Sequence, residues 1–275
     1  MSRLSISTAW DETRARLASD GRLLTTVALA MVALPSAIST LVNPNSGMAE
    51  STGSAGSALV TFVMSLIALV GQLAIVRLAI GPSVSVGDAI GHGARRALPY
   101  IGSIILIVVA LLILAVPLVL LLAAMGVSFQ QGGGSVPARA WIPVLLFIGL
   151  LLYAAARMLM TSSVASAEPV GAINIVKRSW ELTRGHTGRL LGFLLMFLIA
   201  LLIVLAVVGI MVGLLARTLF GDIEPLSVGA LLVGLVQGLL SAAATTIFAV
   251  MLARIYVQLN GAAGSAQVTV PHSGT

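Results

Sequence analysis

The segment that decides the fold, residues 99–125, reads PYIGSIILIVVALLILAVPLVLLLAAM and contains no charged residue. A transmembrane helix needs about 20 mostly apolar residues to cross a hydrocarbon core of roughly 30 Å. This segment meets that requirement with residues to spare. Five further segments also meet it, namely residues 23–42, 57–80, 141–160, 190–216 and 227–257. The sequence therefore predicts an all-α, polytopic membrane bundle of six transmembrane helices.

The composition supports a chain that is solvated by lipid. Of its 275 residues, 59% are hydrophobic and 9% are charged, whereas a soluble domain carries about 25% charged residues. The chain has no cysteine, which excludes disulfides, thiolate metal sites and cysteine nucleophiles. The 15 basic residues exceed the 9 acidic ones, but their placement beside apolar segments favours a membrane role, and we expect no nucleic-acid partner.

The distribution of basic residues predicts the orientation. Lys and Arg accumulate on the cytoplasmic side of membrane proteins. With the N-terminus inside, only Arg139 and Arg217 of the 15 basic residues fall outside, which leaves 13 on the cytoplasmic side. The outer loops, residues 43–56 and 126–140, are short and nearly uncharged. We interpret the first apolar segment as an uncleaved anchor, and both termini are expected in the cytoplasm.

An internal repeat divides the chain. The string WDETR at residues 10–14 is echoed by WELTR at 180–184, and each is followed by GRLL, at 21–24 and 188–191. A weaker middle copy pairs Ala89 and Ile90 with Arg95. The period of about 85 residues predicts three units, approximately 1–82, 83–165 and 166–260, within one membrane domain over 1–260. Each unit is expected to be a short cytoplasmic amphipathic helix and a transmembrane hairpin, with a disordered cytoplasmic tail over 261–275.

The third amphipathic segment, between residues 168 and 185, has the clearest pattern. Polar and apolar residues occupy opposite arcs at helical spacing; they are Asn174, Lys177, Arg178, Glu181 and Arg184 against Ile175, Val176, Trp180 and Leu182. We expect Ser166 to cap its start. A basic face opposite a Trp-bearing apolar face fits the membrane interface. Packing on the cytoplasmic ends of the spans is the alternative, and the pattern does not separate the two.

At these residues the sequence resembles a known family. The run EPVGAINIVKRSWELTRG at 168–185, followed by GRL at 188–190 and a long apolar segment, resembles the bacterial membrane domain attached to some glycerophosphoryl diester phosphodiesterases, which also occurs as a stand-alone protein. The resemblance implies a multi-span domain of the bacterial cytoplasmic (inner) membrane. In that family the phosphodiesterase activity belongs to a separate soluble barrel, which we do not find in these residues, so the activity is not implied here.

Two groups of residues are candidate lipid contacts at the cytoplasmic boundary. Several basic residues near an anionic surface attract it by about 1 kcal/mol each, and the candidates are Arg95, Arg96, Lys177, Arg178, Arg184 and Arg189. The second group comprises interfacial anchors near the ends of the spans, namely Arg77, Arg157, Arg254, Trp10 and Trp180. We expect the three arginines of this second group to occupy equivalent positions in the three units.

Polar and small residues inside the spans suggest a third and a fourth group. Gln72 and Gln237, with hydroxyls at Ser65, Ser241, Thr245 and Thr246, form either interhelical hydrogen bonds worth roughly 0.6 kcal/mol each or a path for a solute. Glycines at spacing four allow two helices to approach closely; they are Gly209 and Gly213 on the fifth span and Gly234 and Gly238 on the sixth. Such packing could be within the monomer or between protomers.

The sequence contains no recognisable catalytic, cofactor or metal motif. His92, His186 and His272 are far apart, and no carboxylate lies in the middle of a span. We therefore expect a non-enzymatic accessory, scaffold or lipid-interacting protein without cofactors. Its partners would be membrane lipids, anionic ones among them, and a membrane protein or a second copy of the chain.

Two other functions remain open. The first is a transporter or channel for a small or lipid-derived solute. The second is an intramembrane enzyme, for which His92, Arg157 and Glu168 are the plausible participants. A cavity converging on Gln72 or Gln237 would favour transport, whereas a tightly packed centre would favour the scaffold.

Overall fold

The computed structural model describes residues 5–43, 55–80, 84–127, 137–221 and 224–268, with side chains as far as residue 261. All regular structure within these ranges is helical. Six helical stretches are long and apolar enough to cross a membrane, and they are Ile6–Val42, Ala55–Ile80, Val86–Ala124, Ala138–Ala167, Thr187–Phe220 and Val228–Gly261. The predicted all-α class is thus confirmed, and the six helices match the number predicted for a multi-pass membrane protein.

The first span is one helix with a local irregularity. It consists of α1 (Ile6–Ala28), a π-helical turn (Leu29–Ala33) and α2 (Leu34–Val42). Ser5 caps it, because its side chain accepts a hydrogen bond from the backbone N–H of Thr8. The π turn lies just before Pro35, which has no N–H for the carbonyl four residues earlier. The widened turn accommodates that missing bond.

The remaining elements alternate long spans with short connecting helices, and the order is α3 (Ala55–Ile80), α4 (Val86–Ala124), a 3₁₀ turn (Ala138–Ala140), α5 (Trp141–Met158), α6 (Thr161–Ala167), α7 (Ala172–Leu182), α8 (Thr187–Phe220) and α9 (Val228–Val268). Ser85 caps α4 by accepting from the Asp88 N–H at 3.1 Å. Gly185, at φ +86°, lies in the turn between α7 and α8, where a left-handed backbone favours glycine.

The first span, α3 and α9 form the centre of the bundle. The first span packs against both α3 and α9, while α4 packs mainly on α3 and α8 on α9. Fully buried side chains at this centre include Leu24, Ile75 and Val250. By contrast, α4 and α8 expose large apolar side chains such as Leu112 and Ile210. Those exposed surfaces suit lipid, because hydrocarbon replaces water as the solvent of a membrane helix.

Two predicted boundaries are wrong. The amphipathic segment expected as a separate helix before the first span is continuous with it from Ile6. Likewise, the middle segment joins the third span, so α4 begins at Val86 rather than at Pro99. Gly93 does not break that helix. A Cβ there would lie 2.7 Å from the Val70 carbonyl oxygen, and this close packing on α3 outweighs the low helix propensity of glycine.

The third amphipathic helix is separate, but it is shorter than predicted. It begins at Ala172, with Gly171 as its N-cap. Ser166 is not its cap, because this residue belongs to α6 and its buried hydroxyl donates to the Leu73 carbonyl at 3.2 Å. At the other end of the chain, α9 continues to Val268, past the predicted start of the tail at residue 261. Residues 269–275 and most of the two predicted outer loops lie outside the described residues.

Candidate functional site: a polar cavity between three spans

The π turn of the first span is held between two glycines. A Cβ on Gly71 of α3 would lie 2.5 Å from the Met31 Cβ, and one on Gly238 of α9 would lie 2.4 Å from the Ala33 carbonyl oxygen. Both distances are shorter than van der Waals contact, so a larger residue does not fit without moving a helix. These two glycines therefore set the distance from the first span to its neighbours on both sides.

Each of these glycines has a glutamine beside it in the sequence. Gln72 follows Gly71, and Gln237 precedes Gly238. Because adjacent residues point about 100° apart around a helix, a glycine against the first span leaves its neighbour facing the adjoining space. Both glutamines line one cavity of about 440 Å³ between the first span, α3 and α9. The structure thus brings together two residues that lie far apart in sequence.

Most of the residues that line the cavity are uncharged and polar, although apolar atoms make up slightly more than half of its surface. Nine of its fourteen lining residues are polar and none is charged; the polar ones are Ser36, Ser39, Thr40, Thr61, Ser65, Gln72, Gln237, Ser241 and Thr245. Five of the six polar residues singled out from the sequence line this cavity, namely Ser65, Gln72, Gln237, Ser241 and Thr245. Thr246 does not, and donates to the Ala242 carbonyl at 2.7 Å.

One lining group has no hydrogen-bond partner among the described residues. The Thr61 hydroxyl oxygen is buried without a hydrogen bond among the described residues. Thr40 and Ser65 instead donate to carbonyls of their own helices, those of Ser36 at 3.1 Å and Phe62 at 2.7 Å. A buried polar group left unsatisfied costs about 1–3 kcal/mol. The cavity therefore suits water or a polar solute far better than lipid tails.

One end of the cavity is closed. Beyond Gln72, the next four residues of α3, Leu73 to Val76, are fully buried. Past them, the last carbonyls of α3 are held by arginines: Arg16 donates to the Leu78 carbonyl at 3.1 Å and Arg254 to the Ala79 carbonyl at 2.6 Å. Cations at a helix C-terminus also interact favourably with its dipole. The cavity is consequently blind at the end of α3 that carries these arginines.

The predicted anchors occupy different environments. Arg254 binds α3 as described, and Arg77 is half-buried on α3. Arg157 is 9% exposed, with its guanidinium 5.2 Å from the ring centre of Tyr153 and 4.8 Å from that of Trp180. It also donates to the Trp180 carbonyl at 3.1 Å. Cation–π contacts of this kind stabilise the buried guanidinium, which forms no ion pair with a carboxylate of the described residues.

The predicted lipid contacts are distributed over three helices. Arg178 is neutralised, because it lies 3.2 Å from the Glu168 carboxylate and 3.7 Å from that of Glu181, and it donates to Asn260 at 3.0 Å. Lys177 is exposed on α7 and has no ion pair within the described part of the chain. The other members are exposed or half-exposed on α4, in the turn after α7 and at the start of α8; they are Arg95, Arg96, Arg184 and Arg189.

The three groups considered for an enzyme are engaged elsewhere. The His92 Nε2 lies 2.8 Å from the Ser166 carbonyl oxygen. Glu168 accepts from the Tyr256 hydroxyl at 2.8 Å as well as from Arg178, and Arg157 contacts the rings of Tyr153 and Trp180. Among the described residues, no group of three or more His, Cys, Asp or Glu is placed to hold a metal ion. His272 lies outside the described residues.

Sequence reasoning missed the hydroxyls that the first span contributes. Ser36, Ser39 and Thr40 line the cavity, and their spacing of three and four residues puts them on one face of a helix. That spacing was the available signal. The signal is weak because a membrane span is recognised by its mean apolarity, and three small hydroxyls lower that mean very little.

Comparison with known proteins adds no family: no family model, no curated protein and no solved structure matches this chain. The resemblance to the membrane domain of glycerophosphoryl diester phosphodiesterases therefore stays a prediction. What bears on function is the cavity and the surfaces around it.

Proposed function

We propose that the protein is a membrane transporter for a small, uncharged solute that carries hydroxyl or amide groups, and that it binds this solute in the polar cavity. The single observation behind this proposal is an open cavity between the first span, α3 and α9, in which nine of the fourteen lining residues are polar and none is charged. Its volume of about 440 Å³ lies within the roughly 300–1,000 Å³ of small-molecule sites. An ion would find no counter-charge there, and an unpaired charge is costly to bury.

The cavity is the reason for preferring this function over an accessory or scaffold role. A scaffold requires only helix packing, and the cheapest packing in lipid leaves no polar space in the bundle. A polar cavity costs stability unless something hydrogen-bonding fills it. Its retention at the junction of three spans is therefore best explained by a ligand.

A permanently open channel fits less well than a transporter, because the cavity is blind at the arginine end of α3. Passage would require the first span to move relative to α3 and α9. The π turn before Pro35 is the natural place for such a movement, since π turns are frequent at functional sites and their hydrogen bonds are already rearranged.

For orientation, we propose that the chain lies in the bacterial cytoplasmic membrane with both termini inside, its spans paired as three hairpins and α7 at the inner interface. The distribution of basic residues supports this. Reporter fusions after Thr52, Gly133 and Asp222 should report an external location, and fusions after Gly91, Gly185 and Gly264 an internal one. A reversed pattern, or one with an odd number of crossings, would contradict the topology.

The transport proposal is tested by uptake into proteoliposomes. We expect purified protein to accelerate the uptake of at least one of three labelled solutes, glycerol, erythritol or urea, over protein-free vesicles. Changing Gln72→Leu and Gln237→Leu together should lower that uptake by about tenfold or more, since losing a hydrogen bond to a desolvated group costs about 1–3 kcal/mol.

The matched control is Thr26→Val, which removes an exposed hydroxyl that bonds only to the Arg22 carbonyl of its own helix. This variant should transport like the wild type. The proposal is wrong if wild-type vesicles take up none of the three solutes faster than protein-free vesicles, or if the glutamine variant and the control transport equally.

A further inference from the structure

Two apolar grooves lie on the outside of the bundle, and each has a tryptophan at one end. The Trp10 groove has a volume of about 470 Å³ and is formed by α1, α8 and α9. The Trp180 groove has a volume of about 520 Å³ and is formed by α4, α5 and α7. Neither shares a lining residue with the polar cavity, so what they bind is a question separate from transport.

The grooves are related by the WDETR and WELTR strings. Ile6 and Trp10 line the first groove as a pair four residues apart, and Val176 and Trp180 line the second in the same register. The two tryptophans are 44% and 42% exposed. Both strings thus present an aliphatic residue and a tryptophan to an apolar groove.

The buried faces of the two strings match as well. Ala9 and Ser179, which directly precede the tryptophans, are fully buried, and so are Thr13 and Thr183. Each threonine hydroxyl donates to the carbonyl oxygen four residues earlier: Thr13 to that of Ala9 at 2.7 Å, and Thr183 to that of Ser179 at 2.9 Å. The repeat therefore has a structural counterpart, in which one face of the string packs inward and the other lines a groove.

The two grooves differ in one chemically decisive residue. Lys177 lines the Trp180 groove, whereas the corresponding residue beside the Trp10 groove is Ser7, and none of the described residues that line that groove is basic. Lys177 is exposed and has no ion pair within the described part of the chain, in contrast to its neighbour Arg178. Its ammonium group is thus free to bind an anion at the end of an apolar groove.

We propose that the Trp180 groove is a binding site for one anionic phospholipid, with an acyl chain along the groove and the phosphate at Lys177. The cationic end is formed by α7, which is too short and too polar to span the membrane. The apolar walls follow α4 from Leu106 to Leu114, a length of about 12 Å at 1.5 Å per residue. One polar end and one long apolar wall match the two parts of a phospholipid.

The close approach of α7 to α4 fixes this geometry. A Cβ on Gly102 would lie 3.1 Å from the Ala172 Cβ, so glycine lets the start of α7 lie against α4. The Trp180 ring is supported from behind by the Arg157 guanidinium and at its edge by Tyr153, whose ring centre is 6.0 Å away. Lys177 and Trp180 are therefore held on a fixed helix next to the spans.

The expected preference follows from the single lysine. One basic residue near an anionic headgroup contributes about 1 kcal/mol, which is about fivefold in occupancy. The Trp180 groove should accordingly hold phosphatidylglycerol over phosphatidylcholine by about fivefold. The Trp10 groove should accept acyl chains of either lipid equally, because none of its described lining residues is a cation.

Fluorescence quenching by brominated lipids tests both grooves in the full chain. The chain has three tryptophans, so Trp10→Phe with Trp141→Phe leaves Trp180 as the reporter, and Trp141→Phe with Trp180→Phe leaves Trp10. In vesicles that contain equal amounts of both lipids, dibrominated phosphatidylglycerol should quench Trp180 more strongly than dibrominated phosphatidylcholine does. At Trp10 the two brominated lipids should quench equally.

Two substitutions assign the preference to Lys177. Lys177→Gln should make the quenching of Trp180 equal for both lipids, and Lys177→Arg should keep the preference. The control Arg22→Gln, at an exposed residue of α1 that does not line the groove, should leave the preference unchanged. The proposal is overturned if both lipids quench the Trp180 reporter equally while Lys177 is present. This outcome can be measured even if no Lys177 variant folds. It is also overturned if Arg22→Gln lowers the preference as much as Lys177→Gln does, or if neither brominated lipid quenches Trp180.

Discussion

Two glycine pairs with the same spacing, one on α9 and one on α8, have opposite environments. Gly234 and Gly238 of α9 face the first span, where added Cβ atoms would lie 2.8 Å and 2.4 Å from the carbonyl oxygens of Ala37 and Ala33. Gly209 and Gly213 of α8 have open space, with no atom within 4 Å of an added Cβ. The same sequence pattern therefore accompanies the tightest contact of the bundle in one helix and none within the described chain in the other.

The difference shows that a stripe of small residues permits close helix packing but does not determine where that packing occurs. α9 is a central helix that packs on the first span, α3 and α8, whereas α8 packs on α9 and less extensively on α5 and exposes many of its large apolar side chains. In lipid, packing contacts rather than apolarity drive association between helices. Which stripe is used is thus decided by the arrangement of the whole bundle.

Among substitutions that compare the two glycine pairs, replacement by leucine is expected to have the largest effect. Gly238→Leu places a side chain against the backbone of the π turn, which cannot move aside without separating α9 from the first span. Overpacking ordinarily costs about 1–3 kcal/mol, and a backbone clash should exceed that. We expect Gly238→Leu to abolish the monodisperse peak in detergent gel filtration, while Gly213→Leu elutes like the wild type.

The comparison fails in either of two ways. If Gly238→Leu elutes normally with an unchanged thermal midpoint, the close contact of α9 with the first span is absent in solution. If Gly213→Leu instead loses its monodisperse peak, the stripe on α8 is covered by another chain. This would be the packing between protomers that the sequence left open.

How much of the fold follows from sequence depends on the scale of the pattern. The six spans were predictable because each is a run of about 20 apolar residues, a signal that sums over its whole length. Helix continuity was not, because it rests on few residues. In the first copy Gly21 follows Arg14 by seven positions, and the helix continues from one to the other. In the second copy Gly188 follows Arg184 by only four positions, and the left-handed Gly185 between them interrupts the helix.

This difference in spacing also explains why the two GRLL strings do not occupy equivalent structural positions. The tryptophan strings match in burial, but the GRLL strings after them do not: Leu23 is 36% exposed, while its counterpart Leu190 is fully buried. The three extra residues of the first copy rotate everything that follows around the helix axis. Sequence similarity in the second string therefore does not extend to an equivalent structural position.

The polar cavity was predictable only in part. A glutamine in an apolar span is conspicuous, so Gln72 and Gln237 could be singled out as polar contacts. Their convergence could not be, because it depends on Gly71 and Gly238 holding the π turn of the first span between them. Three-dimensional proximity of residues about 165 positions apart leaves no local trace in one sequence.

The smallest effect, and the most discriminating for the open stripe, is expected for alanine on α8. Changing Gly209→Ala and Gly213→Ala together adds two methyl groups where the described chain offers free space, and it removes two residues of poor helix propensity. Glycine in a helix costs roughly 0.5–1 kcal/mol relative to alanine, and 1 kcal/mol shifts a thermal midpoint by about 2–4 °C in a domain of this size class. We therefore expect the midpoint in detergent to stay the same or rise by a few degrees, with the molar mass from light scattering unchanged across a tenfold dilution. A lower midpoint together with a smaller molar mass would mean that a second copy of the chain covers the stripe, because only an unseen neighbour could turn two harmless methyl groups into a loss of contact.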